Sequence, residues 1–246
     1  LAQAIRAHGT QFAAPTHPGW APIIFSMHAA WPLERISSRL AALPRGRLRS
    51  VAADRSAAVL VPLCLDLKGQ PAVLFCVRAL GLRAHAGEIC FPGGSAEPGD
   101  ADEAATALRE AGEEVGLQPS DVRVLGTMRP VLSSGRIGVR PVVGFVAPGG
   151  NSGRLDPAAL TIDADEVAAA FTLPLAHLLR PETRTWYDVV VPRETMPRKV
   201  PAFRITAAQA SGLPLGGAGV AMRRPQGAPA DEVSVWGLTG FVLHTL

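Results

Sequence analysis

Apolar positions in this chain follow two kinds of spacing. The first is the short, nearly unbroken run. "SAAVLVPLCLDL" from Ser56 reads as a buried strand, "KGQ" as a turn and "PAVLFCVRA" from Pro71 as a second strand, so the pair predicts a hairpin. "HAGEICFPGG" predicts a short strand running into a turn at Gly93 and Gly94. "VRVLGTMRPV", "GVRPVVGFVAP", "RTWYDVVVP" and "PAFRIT" predict further strands. The second spacing is helical. Leu33, Ile36 and Leu40 share one face of a segment that Pro44 should end. Ala104, Leu108, Ala111 and Val115 make an apolar stripe on a helix from about Asp102 to Val115. "DEVAAAFTLPLAHLLRP" reads as a short connection and helix, Leu1 to His8 as a short helix, and "DEVSVWGLTGFVLHTL" as a terminal helix with Val233, Trp236 and Leu243 at roughly helical spacing. Strands with helices between them imply an α+β or α/β sandwich.

Length and composition narrow this. A chain of 246 residues holds one large domain or two small ones. With 48% apolar and 18% charged residues it is no charge-driven disordered chain. The 25 glycines and 22 prolines imply many turns or loose loops beside a core. We expect residues 1–50 to be an N-terminal helical extension that packs on the core, and 51–246 to be the main domain, with a loop excursion at 211–230. Arg223 and Arg224, in that excursion, read as a solvated basic spot.

The net charge of +3 is too weak to argue for nucleic acid and suits an anionic small molecule equally well. No apolar run approaches the ~20 residues of a membrane span. Cys64, Cys76 and Cys90 lack metal or disulfide spacing and read as small core residues. Trp20, Trp31, Trp186 and Trp236 read as core or interface residues. A cytoplasmic location is expected; because the first residue is Leu1, a lost targeting segment is also compatible. A homodimer is left open.

The informative segment is "FPGGSAEPGDADEAATALREAGEEVGLQ", Phe91 to Gln118. Glu110, Glu113 and Glu114 fall at helical offsets that put three carboxylates on one side, opposite the apolar stripe. Either the face is simply solvated, or it holds a hard divalent cation, which prefers oxygen ligands. Arg109 lies beside the three and is able to pair with a carboxylate and hold its orientation. Asp100 or Asp102 can cap the helix.

"REAGEEVGL", Arg109 to Leu117, resembles the REUxEExGU half of the Nudix hydrolase box, with Ala111 in the U position. The upstream half departs from the general form: Ser95 and Ala101 stand where a glycine and a glutamate are usual. A one-residue insertion, which would put Asp100 in the glutamate's place, accounts for both shifts. "LFCVRALGLRAHAGEICFPGG", Leu74 to Gly94, resembles the signature of the coenzyme A pyrophosphatase branch, matched at Arg78, Ala79, Arg83, Gly87 and Phe91 to Gly94. "WGLTG", Trp236 to Gly240, is similar to that branch's closing helix.

The resemblance implies a Nudix fold, an α/β/α sandwich around a mixed sheet, and metal-dependent hydrolysis of the diphosphate bridge of coenzyme A or acyl-CoA. It implies Mg²⁺ or Mn²⁺ held by Glu110, Glu113 and Glu114, with Glu113, Glu114 and Arg109 as catalytic candidates. The general base is one of the glutamates or a residue from a distant loop. Arg78 and Arg83, which supply planar donors for a dense anion, His85, Gly93 and Gly94 are the substrate-binding candidates. On their own, the arginines read equally as surface residues or partners of Glu88 or the acidic helix, and His85 as a polar turn residue. Other substrates, such as ADP-ribose or NADH, and a non-catalytic ligand- or RNA-binding module are the competing readings.

Overall fold

Strand β1, Ser56–Leu65, explains the architecture. Val59, Val61, Leu63 and Leu65 point into one apolar cluster and Ala58, Leu60 and Cys64 into another. Strand β2, Pro71–Arg78, divides its residues in the same way: Val73, Phe75 and Val77 against Leu74 and Cys76. A strand buried on both faces needs apolar residues at every position, which is why these segments read as unbroken runs. The computed structural model describes residues 31–44, 46, 56–133, 137–150, 154–189, 197–205, 222, 223, 225, 228 and 233–245. The helix expected at Leu1 to His8, Trp20 and most of the 211–230 excursion lie outside them.

The remaining strands of the main sheet are β3 (Ile89–Cys90), β4 (Gly93–Ser95), β5 (Val122–Thr127), β6 (Val131–Leu132), β7 (Gly138–Val146) and β8 (Val167–Pro174). Their path runs β3-β2-β1-β7-β5, with β4 on β1, β6 on β7 and β8 on β2. β1 and β7 are parallel and the other pairs antiparallel, so the sheet is mixed. A smaller antiparallel sheet orders β11-β10-β9, from Arg184–Val189 (β9), Arg198–Ile205 (β10) and Val233–Val235 (β11).

Helix α1, Leu33–Ala41, buries Leu33, Ile36 and Leu40 as expected, each contributing about 1.5–3 kcal/mol. They join the same cluster as Val242 and Leu243 of the last helix, Gly237–Thr245. The Trp31 indole N–H donates to the Cys64 carbonyl at 2.8 Å and ties the lead-in of α1 to β1. Helix α2, Glu103–Val115, covers the opposite face through Ala107, Ala111 and Val115. The result is the expected α/β/α sandwich.

Two expected helices differ. "DEVAAAFTLP" is not a connection but strand β8, paired with β2 from Ala72↔Pro174 to Arg78↔Val167; only Leu175–Leu178 (α3) turns helical. The terminal segment begins as β11 on β10, so its helix (α4) starts only at Gly237. The three cysteines are free thiols, and burial pushes Cys90 up to about 12. Trp31 is a core residue, whereas Trp186 is half exposed against the edge of His244. No helix among the described residues is long and apolar enough to cross a membrane.

Candidate active site

Helix α2 has a defined start and stop. Asp102, in extended conformation, accepts the Ala105 N–H at 2.8 Å. Gly116, at φ +71°, takes the left-handed geometry that ends a helix, and the N–H groups of Gly116 and Leu117 bond back to Gly112 and Ala111. Asp102 is therefore the cap, and Asp100 does something else. Its Oδ1 accepts Arg109 Nε at 3.1 Å and its Oδ2 accepts Arg109 Nη2 at 3.2 Å, a two-pronged pair. This guanidinium pulls the Asp100 carboxyl down to about 2. Arg109 also donates to the Ser95 carbonyl at 2.9 Å and lies 3.0 Å from both Glu110 and Glu113. It fastens the helix to the 95–100 loop.

The expected turn at Gly93 and Gly94 is in fact strand β4, with Gly93 opposite Val59 and Gly94 opposite Ala58. That register brings both glycines under the carboxylates. The Gly93 N–H donates to Glu114 Oε2 at 3.0 Å. A Cβ on Gly94 would sit 2.5 Å from either Glu110 oxygen, so only glycine leaves room for that carboxylate. Glu114 is 2% exposed, and Arg78 Nη1 stands 3.8 Å from its Oε1. Burial raises the Glu114 carboxyl to about 7, against the opposing pull of the Gly93 hydrogen bond and Arg78. Burial likewise raises Glu110, opposed by Arg109.

The structure thus brings together Arg78, Gly93, Gly94, Arg109, Glu110 and Glu114. A buried and a partly buried carboxylate, both all-oxygen donors whose charged forms are penalised by desolvation, suit a hard divalent cation. Glu113 stands apart: its side chain is 60% exposed and faces Arg109 one turn back. Among the described residues no three Asp, Glu, His or Cys side chains are grouped closely enough to hold an ion. The three carboxylates lie along one side of the helix, where Arg109 pairs with both Glu110 and Glu113, while Glu114 turns inward to Gly93 and Arg78.

Arg83 stands exposed on the loop after β2. His85, also exposed and at φ +58°, lies 2.9 Å from Glu88 through Nδ1, and this carboxylate raises its pKa. One residue has no sequence signal at all. Glu166 precedes β8; its carbonyl accepts the Ala79 N–H at 2.8 Å, and its charge raises both Glu110 and Glu114. The pairing of β8 with β2 delivers it, and the reading of this segment as connection and helix hid it.

The NUDIX domain family matches residues 54–193, more than half of the chain. The chain belongs to this family. It is 44% identical over 147 residues to a human protein named mitochondrial coenzyme A diphosphatase NUDT8, covering 59% of this chain and 58% of that protein. It is 40% identical over 152 residues to the mouse protein of that name, covering 61% and 68%. A Cronobacter sakazakii Nudix hydrolase, NudL, is 42% identical over 148 residues, covering 60% and 72%. The human match spans little over half of that protein's length. As a Nudix hydrolase family member, the chain carries its Nudix-box segment on α2 and the β4–α2 loop, inside the matched range.

Proposed function

We propose that this Nudix hydrolase cleaves the diphosphate bridge of coenzyme A or acyl-CoA to 3′,5′-ADP and 4′-phosphopantetheine or its acyl form, with Mg²⁺ or Mn²⁺ at Glu110, Glu114 and Glu113. The observation that carries this reading is the approach of Arg78 to Glu114 at 3.8 Å. Arg78 belongs to the segment resembling the coenzyme A signature, and Glu114 to the Nudix box, so two motifs joined only in sequence meet at one place. The names of the human and mouse relatives support the same substrate.

A bound divalent cation polarises phosphate oxygens and lowers the pKa of the attacking water. Glu110 and Glu114 supply oxygen donors. Glu113 would join them on exchanging Arg109 for the cation, while the bonds of Arg109 to Asp100 and Ser95 hold the helix to the preceding loop. Arg78 offers planar donors to the diphosphate. Water attacks one phosphorus, the bridging P–O bond breaks, and a carboxylate takes the water's proton. Glu113, Glu114 and Glu166 are the candidates for that base. We assign Glu166 a share because it lies off the helix, just before β8, where its carbonyl accepts the Ala79 N–H one residue beyond Arg78. Glu166→Gln is expected to lower kcat about tenfold to a hundredfold with little change in Mn²⁺ affinity. An equal fall in Mn²⁺ affinity, read by titration, would make it a metal-holding residue instead.

The test of the reaction is product analysis. The protein is incubated in turn with CoA, ADP-ribose and NADH, with Mg²⁺ or Mn²⁺, and products are identified by mass spectrometry. Release of 3′,5′-ADP from CoA supports the reading. No such product while another substrate is cleaved rejects it, and binding without any cleavage favours a non-catalytic module. Arg83→Ala is expected to weaken use of CoA more than use of dephospho-CoA, which lacks the 3′-phosphate. Equal losses on both would reject a specific contact between Arg83 and that phosphate.

A further inference from the structure

Arg223 lies outside the residues that match the family, and its sequence context suggests nothing more than a solvated cation. Its position is specific. The Arg223 N–H donates to the Gly87 carbonyl at 2.8 Å, and Nη1 stands 3.3 Å from Glu88 Oε1. Its own carbonyl accepts the indole N–H of Trp236 at 3.3 Å, just before α4. Gly87 and Glu88 are in turn bonded to Arg78: the Gly87 N–H to the Arg78 carbonyl and the Arg78 N–H to the Glu88 carbonyl, both at 3.0 Å. Arg223 is therefore held from the C-terminal side. It grips the end of the loop that carries Arg83 and His85, one residue pair from Arg78.

The chemistry of Glu88 makes this grip matter. Its side chain is only 16% exposed, and it sits beside Arg78 in a region that receives a polyanion under the reading above. An uncompensated carboxylate there repels the substrate and competes with phosphate for the nearby arginines. His85 engages one Glu88 oxygen and Arg223 the other.

We propose that Arg223 is a positioning residue for substrate recognition: it neutralises Glu88 and fixes the Gly87 end of the loop, so that Arg78 and Arg83 stay available to an anionic diphosphate. The proposal rests on the diphosphate lying beside Arg78. With the Arg223 side chain itself 59% exposed to solvent, the ion pair adds little to stability. Its effect belongs in substrate affinity.

Kinetics are measured on the full chain with whichever of CoA, ADP-ribose and NADH it cleaves best, so that failure of CoA as substrate is separated from failure of the Arg223 assignment. Arg223→Ala is expected to raise KM about fivefold or more, with kcat within about twofold, and Arg223→Lys to recover part of the loss. Glu88→Gln in the Arg223→Ala background is expected to return KM to within about twofold of the parent, because the uncompensated carboxylate is gone. Glu88→Gln alone lowers KM. Thermal unfolding of all variants accompanies the kinetics. An unchanged KM in Arg223→Ala, a raised KM that Glu88→Gln does not relieve, or a loss of kcat that tracks a loss of thermal stability each overturns the proposal.

Discussion

Glu114→Gln is expected to cut turnover by roughly two to three orders of magnitude, the scale of losing a group that stabilises developing charge. The same substitution should leave the metal-free protein as stable as before, or more stable, at pH 8. Burial raises the Glu114 carboxyl from 4.5 to about 7. A carboxyl whose pKa is higher folded than unfolded costs stability when charged. The cost is absent below about 4.5, grows through the interval, and is full above about 7. A shift of that size corresponds to a penalty on the order of 3 kcal/mol. Glutamine carries no charge, and its amide oxygen can still accept the Gly93 N–H that Glu114 Oε2 accepts at 3.0 Å.

Urea unfolding with EDTA checks this: the variant gains at pH 8, and the gain shrinks at pH 5. With Mn²⁺ added the order reverses, because a cation that binds only the folded parent stabilises it by mass action. Unchanged turnover at saturating metal would remove Glu114 from the metal site. A large loss of metal-free stability at pH 8 would make its role structural.

The parts of the molecule legible in sequence are those whose local pattern and tertiary fate agree. β1 and β2 are apolar at nearly every position because both faces are covered. α2 carries its own signals, from the Asp102 cap to Gly116. The segment Val167–Pro174 carries three alanines in a row and no strong alternation, so its neighbours decide its state. It becomes a strand because β2 offers it a paired edge, with Phe75 opposite Phe171 and Val73 opposite Leu173.

The site divides in the same way. Helical spacing located Glu110, Glu113 and Glu114, but not the partners each one meets. Arg109 pairs with Glu110 and Glu113, and the register of β4 on β1 places Gly94 against Glu110 and Gly93 against Glu114. Glu166 is brought beside Ala79 and Arg223 beside Gly87 and Glu88 from 52 and 109 residues beyond Glu114, through strand pairing and a loop contact that no local motif encodes.

The two glycines of β4 should respond in opposite ways to the same added methyl group. Gly93 sits at φ +153°, where side chains are strained, and a Cβ there would meet the backbone of β1, at 2.5 Å from Val59 Cα and against the Ala58 carbonyl oxygen. A central strand cannot yield, so Gly93→Ala is expected to cost about 3 kcal/mol or more, or to prevent folding. Gly94 has ordinary backbone geometry, and the atoms its Cβ would meet are the Glu110 carboxylate oxygens at 2.5 Å. The end of a flexible side chain can move. Gly94→Ala should therefore fold with a loss within about 1 kcal/mol, yet push Glu110 off its place and lower Mn²⁺ affinity about tenfold. Urea unfolding of both variants and Mn²⁺ titration of Gly94→Ala separate the two effects. Parent-like Mn²⁺ binding by Gly94→Ala would show that the position of Glu110 is not what holds the cation. Parent-like stability of Gly93→Ala would mean that β4 does not lie on β1 in the register that sets the site.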